Sequence, residues 1–143
     1  MNKEMIGRAV ELAHRLGHVF VATAADDGTP HVAAAAQLEP ASRGRVRVSA
    51  WFCPGTVTNL QENRRISLVV WDRERDDGYQ LVGSVEEMTD VALMDGYTPH
   101  TETAPMPQVE RQLLVRVEET LMFTHAPHSD LEGTPVRVAS EGA

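Results

Sequence analysis

The fold is decided by residues 46–71, VRVSAWFCPGTVTNLQENRRISLVVW. Residues 45–51 alternate polar and apolar side chains, as a half-buried strand does. Pro54 and Gly55 then interrupt the chain, and residues 56–63 suit a helix of about two turns. Residues 65–71 are again rich in β-branched and apolar side chains. The stretch therefore predicts a strand, a tight turn, a short helix and a second strand.

Upstream of this stretch the sequence predicts a helix and then a hairpin. Five apolar residues recur at helical spacing within residues 2–16: Ile6, Ala9, Val10, Ala13 and Leu16. Asn2 can cap the helix and Gly17 can end it. The runs 18–25 and 31–38 flank an Asp-Gly turn and form the hairpin. The second run contains alanines at 33–36, which would let a ligand ring or a second subunit approach the backbone.

Downstream, the polar run 72–78 turns the chain into further predicted segments: a strand at 79–88, a helix at 89–97, an exposed loop at 98–107, a strand from about residue 112 to 123, and a mobile tail at 129–143. Residues 109–123 fit both helical and strand spacing, and we assign a strand because the antiparallel sheet needs closing. The sum is a mainly β protein, a six-stranded antiparallel barrel with accessory helices. One domain, 1–143, has its core at about residues 5–123.

Composition narrows the function classes. The chain has 21 acidic and 13 basic residues, a formal net charge of −8, which argues against nucleic-acid and anionic-membrane partners. Its one cysteine, Cys53, permits no internal disulfide. No apolar run is long enough to span a bilayer, so we expect a cytoplasmic protein. A phosphorylated ligand stays compatible with this charge because backbone N–H groups bind phosphate locally.

The start of the helix at 56–63 is a candidate phosphate site on physical grounds. The free N–H groups of a helix N-terminus and its positive dipole end favour an anion. Thr56 and Thr58 add hydroxyl groups. Positive charge could come from Arg47 on the preceding strand, or from Arg64 and Arg65 just after the helix.

The order of elements resembles the pyridoxamine-phosphate-oxidase-like family of FMN-binding split barrels. The resemblance covers roughly residues 5–123, and its most specific part is the family pattern K-x-x-N-L-x-x-N-P-x-V. Asn59, Leu60 and Asn63 match that pattern, whereas Thr56 replaces the frequent lysine and Arg64 the frequent proline. The resemblance implies bound FMN and a homodimer whose two subunits complete each flavin site.

The same resemblance implies which residues hold the cofactor. The loop and helix start bind the FMN phosphate in the family, while the end of the preceding strand and the end of the earlier hairpin line the flavin ring. Carried over to this sequence, the cofactor-binding residues are Gln37, Val48, Ser49, Ala50, Trp51, Gly55, Thr56, Thr58 and Asn59. No catalytic side chain is assigned, because in this family flavin reactivity is set by backbone N–H groups and small side chains.

Several of these residues also have ordinary structural interpretations. Thr56 can serve as a helix cap, and Asn59 and Asn63 can be surface amides. Trp51 and Trp71 suit a core or an interface. A glycine inside a strand, as at position 83, indicates a bulge or a close approach of backbones.

Other side chains are assigned no role in the chemistry. His31 is expected to be exposed, and Cys53 to be an inert side chain. The pair His125 and His128 lacks a matched third ligand, so no metal is predicted. Rossmann, P-loop and nucleophile-elbow motifs are absent from the sequence.

The leading hypothesis is a flavin-dependent oxidoreductase that acts on a small redox substrate through bound FMN. One alternative is a flavin carrier or sensor without catalytic activity. Another is a split barrel that binds the deazaflavin F420 or haem, which the missing lysine at Thr56 favours. The sequence does not reveal the substrate, the electron donor or the pathway.

Overall fold

The computed structural model describes residues 3–52, 54–94 and 108–126. These residues form two helices and seven strands: α1 (Lys3–Leu16), β1 (Val19–Ala24), β2 (Pro30–Ala35), β3 (Gln37–Pro40), β4 (Arg45–Phe52), α2 (Pro54–Glu62), β5 (Arg65–Asp72), β6 (Asp77–Met94) and β7 (Gln108–Met122). The predicted mainly β, antiparallel class is confirmed. The predicted count of six strands is wrong, because the run 31–38 is divided at Ala36 into β2 and β3.

The predicted helix at 89–97 is also wrong over its described part. Thr89 and Asp90 pair with Gln112 and Arg111, so β6 continues to Met94 along β7. Cross-strand pairing overrides the weak local helical preference of this segment. The strand assigned to 112–123 is confirmed, although β7 begins earlier, at Gln108. The predicted loop at 98–107, the tail at 129–143 and Cys53 lie outside the described residues.

All seven strands belong to one antiparallel sheet with the order β2-β1-β5-β6-β7-β4-β3. Its two edge strands, β2 and β3, follow one another in the chain with Ala36 alone between them. The sheet must therefore curl until its edges meet, and β2 accordingly contacts β4. The result is a half-barrel with an inner and an outer side.

The inner side carries an aliphatic core, and both helices contribute buried residues to it. Val19, Val46 and Leu113 are among its fully buried residues. The predicted apolar stripe of α1 packs against this core, and α1 contacts β3, β5 and β6. Arg15 of α1 donates to Asp72 of β5 at 3.1 Å, and this hydrogen bond lowers the pKa of the Asp72 carboxyl. Helix α2 contacts β1 and β2.

The outer side of β1, β2, β5 and β6 is largely apolar. Cross-strand register aligns its side chains in two rows, Ala34-Phe20-Val69-Gln80 and Val32-Ala22-Ser67-Val82, and the polar members Gln80 and Ser67 are hydrogen-bonded to each other at 2.6 Å. Phe20 is 39% exposed and Val32 63% exposed, which is unusual for large apolar side chains in the middle of strands. We call these two rows the outer apolar face.

Ion pairs border the outer apolar face on β4 to β7. Arg45 donates to Glu86 at 2.6 Å, Arg65 pairs with Glu118, and Arg116 lies 3.3 Å from Glu118 and 3.5 Å from Glu86. Hydrogen bonds from Arg45 and Arg65 lower the pKa values of Glu86 and Glu118, respectively. The border is therefore charged at neutral pH, in contrast to the apolar face beside it.

Two strands of the barrel approach each other closely at Gly83. The register of β6 against β7 shifts between Val82 and Gly83, where a bulge lets the sheet bend. A Cβ atom on Gly83 would overlap the carbonyl oxygen of Arg116. The interpretation of this glycine as a bulge and close backbone approach is confirmed.

We predict that Gly83→Ala lowers the free energy of unfolding by about 2 kcal/mol or more, because the backbone of β7 must move to admit the methyl group. Gly7→Ala is the matched control: Gly7 lies in α1, where an added Cβ meets nothing within 4 Å. Alanine there should stabilise the helix by up to about 1 kcal/mol. Urea unfolding at constant m-value measures both changes, and equal midpoints for the two variants would contradict the prediction.

Candidate cofactor site

The barrel opens beside the last residues of β4. Strand β3 pairs with β4 only as far as Gln37 opposite Ser49. Beyond that pair, Ala50, Trp51 and Phe52 are paired with β7 alone among the described strands. Their other edge presents backbone N–H and C=O groups toward β2, which contacts β4. This free edge of β4 is suited to hydrogen-bonding a planar heterocycle.

Helix α2 follows the free edge after a single intervening residue. It begins at Pro54, two residues earlier than predicted, and proline suits the first helical position because it has no N–H group to satisfy. Thr56 lies within the first turn, so the interpretation of Thr56 as the cap is wrong. Its side chain is fully buried, with Oγ1 3.4 Å from Nδ1 of His31. The start of α2 therefore rests on β2.

His31 is the site residue that the sequence did not reveal. It was expected to be exposed, but it is half-buried on β2 beside the first turn of α2. A Cβ atom on Gly55 would lie 3.6 Å from Nε2 of His31. Nδ1 thus faces Thr56 while Nε2 faces the space over Gly55. Only the packing of α2 on β2 creates this arrangement, and no local sequence pattern signals it.

Asn59 fixes α2 to the barrel. Its Nδ2 donates to Oγ1 of Thr23 on β1 at 3.1 Å, and both side chains are buried. The neighbouring Leu60 is 1% exposed. The interpretation of Asn59 as a surface amide is therefore wrong. Asn63 accepts a hydrogen bond from the backbone N–H of Arg65 at 3.1 Å, which closes the turn between α2 and β5.

The other residues implied for the cofactor lie around the free edge in different orientations. Gln37 is exposed opposite the buried Ser49. Val48 and Ala50 face the core, so contact with a cofactor would have to use their backbone. Thr58 is exposed on α2, and Trp51 lies opposite Glu110.

Two of the three arginines considered for positive charge are directed elsewhere. Arg64 donates to the carbonyl oxygen of Val85 at 3.3 Å, and Arg65 pairs with Glu118 on β7. Arg47 is half-buried on β4, opposite Glu39 on one side and Leu114 on the other. His31 is thus the group that can carry positive charge and that the described contacts place against the first turn of α2.

A cavity of about 420 Å³ lies between α1 and the start of β6, and Arg8, Arg15 and Tyr79 are among its lining residues. Burial raises the pKa of the Tyr79 phenol, and Arg8 contributes a hydrogen bond to that phenol. Tyr79 is paired with strands on both sides, so the cavity offers no free strand edge there. Arg8 and Arg15 form ion pairs with Glu4 and Asp72, which lie outside the lining.

The described part of the chain contains neither a group of metal-ligating side chains nor a membrane-spanning helix. Within residues 3–52, 54–94 and 108–126, no three His, Cys, Asp or Glu side chains are grouped so that they could hold a metal ion. None of the helices described there is long and apolar enough to cross a bilayer.

A curled antiparallel sheet with a helix directly after β4 defines the split β-barrel class. Within that class, the sequence model for pyridoxamine 5'-phosphate oxidase matches residues 6–123, and the chain belongs to this family. No curated protein sequence matches the chain significantly.

Solved structures with the same fold are named for different cofactors. An FMN-binding protein from Syntrophomonas wolfei is 15% identical, with a TM-score of 0.62 over 85% of this chain and 87% of that chain. An F420 reductase is 18% identical, with a TM-score of 0.54 over 77% and 93%. The haem storage protein HutZ from Vibrio cholerae is 12% identical, with a TM-score of 0.51 over 78% and 89%. At these identities the similarity establishes the fold alone.

Proposed function

We propose that the protein binds FMN at the free edge of β4 and the first turn of α2, between two copies of the chain, and acts as a flavin-dependent oxidoreductase. The observation that carries the proposal is the juxtaposition of the β4 edge with the cradle formed by Gly55, Thr56 and His31. Family membership supports the same cofactor class.

The first turn of α2 fits the phosphate of FMN. Gly55 carries no side chain, so an anion can approach the backbone N–H groups of the first turn. The dipole of the nine-residue helix adds positive potential at that end. His31 borders the cradle on the β2 side and can donate from Nε2. Asn59 holds the helix, and with it the cradle, against β1.

The edge of β4 fits the flavin ring. Residues 50–52 offer main-chain donors and acceptors spaced along a strand, and Ala50 is small enough to let a ring approach closely. When bound, FMN supplies hydride and electron transfer, while the protein binds, orients and excludes water. Ser49 and Gln37 flank the edge and can fix the ring's position. Because the cofactor would supply the redox chemistry, the proposed function requires no acidic or basic catalytic side chain.

A second copy of the chain suits the outer apolar face. Phe20 and Val32 leave large apolar surfaces exposed on β1 and β2, the same strands against which α2 packs. Exposed apolar patches of this kind are typical of protein interfaces, and the ion pairs around Arg116 supply the polar rim that such interfaces have. A partner on this face would lie beside the cofactor cradle and could complete it.

The deazaflavin F420 and haem are the alternative ligands. Thr56 replaces the family's usual lysine, and Arg65 is paired on the outer surface, so the phosphate cradle carries less fixed charge than the family pattern provides. Structures named for F420 and haem share the fold. A flavin carrier without catalytic activity would bind FMN in the same way as an enzyme does. Consumption of NAD(P)H above the free-flavin background distinguishes an enzyme from a carrier.

We predict that the purified protein retains FMN after desalting and shows the visible absorption bands of a bound flavin. Asn59→Ala should weaken retention by about tenfold, because α2 loses its buried hydrogen bond to Thr23. Asn63→Ala is the control, since Asn63 shapes the turn after α2 rather than its packing. A protein that releases FMN completely but retains F420 or haem would contradict the assignment of FMN.

We predict that the FMN-loaded protein sediments as a dimer and that Phe20→Glu converts it to a monomer with weakened FMN retention. A buried, unpaired carboxylate on the outer apolar face would be costly at neutral pH. Val91→Glu is the matched control, because Val91 is 52% exposed on β6 away from the two apolar rows. Sedimentation velocity followed in the flavin and protein bands measures both properties. A wild-type monomer at micromolar concentration would contradict the composite site.

A further inference from the structure

His31 borders the first turn of α2, the part of the proposed site that would hold the phosphate. Thr56 is fully buried, so its side chain cannot extend from α2 toward a ligand as a lysine at that position could. His31 reaches the same turn from β2: its ring lies against Thr56, and its Nε2 lies 3.6 Å from where a Cβ atom of Gly55 would stand. The polar side chain that borders this turn is therefore supplied by β2.

The charged residues near His31 belong to the hairpin turn and to the elements that pack against β2. Strand β1 beside it contains no charged residue, and the first half of α2 contains none either. Strand β4, which also contacts β2, carries Arg45 and Arg47. Asp26 and Asp27 lie exposed in the hairpin turn. No carboxylate of β1 or of the first half of α2 therefore competes with an anionic ligand for His31.

We propose that His31 is the phosphate-specificity residue of the cofactor site: its imidazole donates from Nε2 to the phosphate of FMN and gives the site its preference for phosphorylated flavin. This inference rests on the proposed function. A hydrogen bond to a charged phosphate is stronger than one between neutral groups, and riboflavin has no phosphate to accept it.

The test compares FMN with riboflavin, which has the same ring but no phosphate. Dissociation constants of both ligands are measured by fluorescence quenching at one neutral pH. Three variants accompany the wild type: His31→Ala removes the imidazole donor, His31→Lys replaces it with an ammonium donor, and His14→Ala alters an exposed histidine of α1 as a control. The FMN preference is the ratio of the riboflavin dissociation constant to the FMN dissociation constant.

We expect His31→Ala to lower the FMN preference by about tenfold, as a charge-assisted hydrogen bond to the phosphate is lost. His31→Lys should retain the preference, and His14→Ala should follow the wild type. An FMN preference that His31→Ala leaves unchanged would overturn the role of His31 alone. Failure of both flavins to bind would overturn the proposed function as well.

Discussion

The whole architecture depends on the continuity of β2 and β3 across Ala36. These two strands are the opposite edges of one sheet, yet a single residue separates them in the chain. A flat sheet cannot satisfy that connection, so the sheet has to curl and enclose its aliphatic side chains. Burial of those side chains then supplies the main driving force for folding. Helices α1 and α2 pack against different strands of the curled sheet.

The candidate site is a consequence of the same curl. Because β3 is only four residues long, it leaves the last three residues of β4 without a partner on that side among the described strands. Because β2 continues into β3, the start of β2 lies on the side of the barrel where α2 begins, and His31 meets Thr56 there. The free strand edge and the helix start are thus brought together by topology. The chain needs no long loop to build a cofactor cradle.

Much of this fold could be predicted from the sequence, and the failures have a common cause. Strand and helix periodicity placed α1, β4, α2 and β5 correctly because those signals are local. The helix predicted at 89–97 failed because pairing with β7, which is distant in sequence, decides that segment. The division at Ala36 was missed because all four alanines have the same local preference.

The site could be predicted only in part for a similar reason. The matches at Asn59 and Asn63 indicated the family, and the departure at Thr56 indicated where this chain differs. The buried Asn59–Thr23 hydrogen bond and the position of His31 both join elements that are far apart in sequence. Neither residue type signals such a contact on its own. Contacts between side chains of β2 and α2 can therefore be identified only once the arrangement of the strands is known.

Hydrogen–deuterium exchange, measured by mass spectrometry with and without FMN, tests the location of the cofactor most directly. The account predicts that FMN slows exchange in peptides covering residues 49–59 and the start of β2, where the free edge, the helix start and His31 lie. Unchanged exchange there, with slowing confined to α1 and the start of β6 around the cavity near Tyr79, would contradict it.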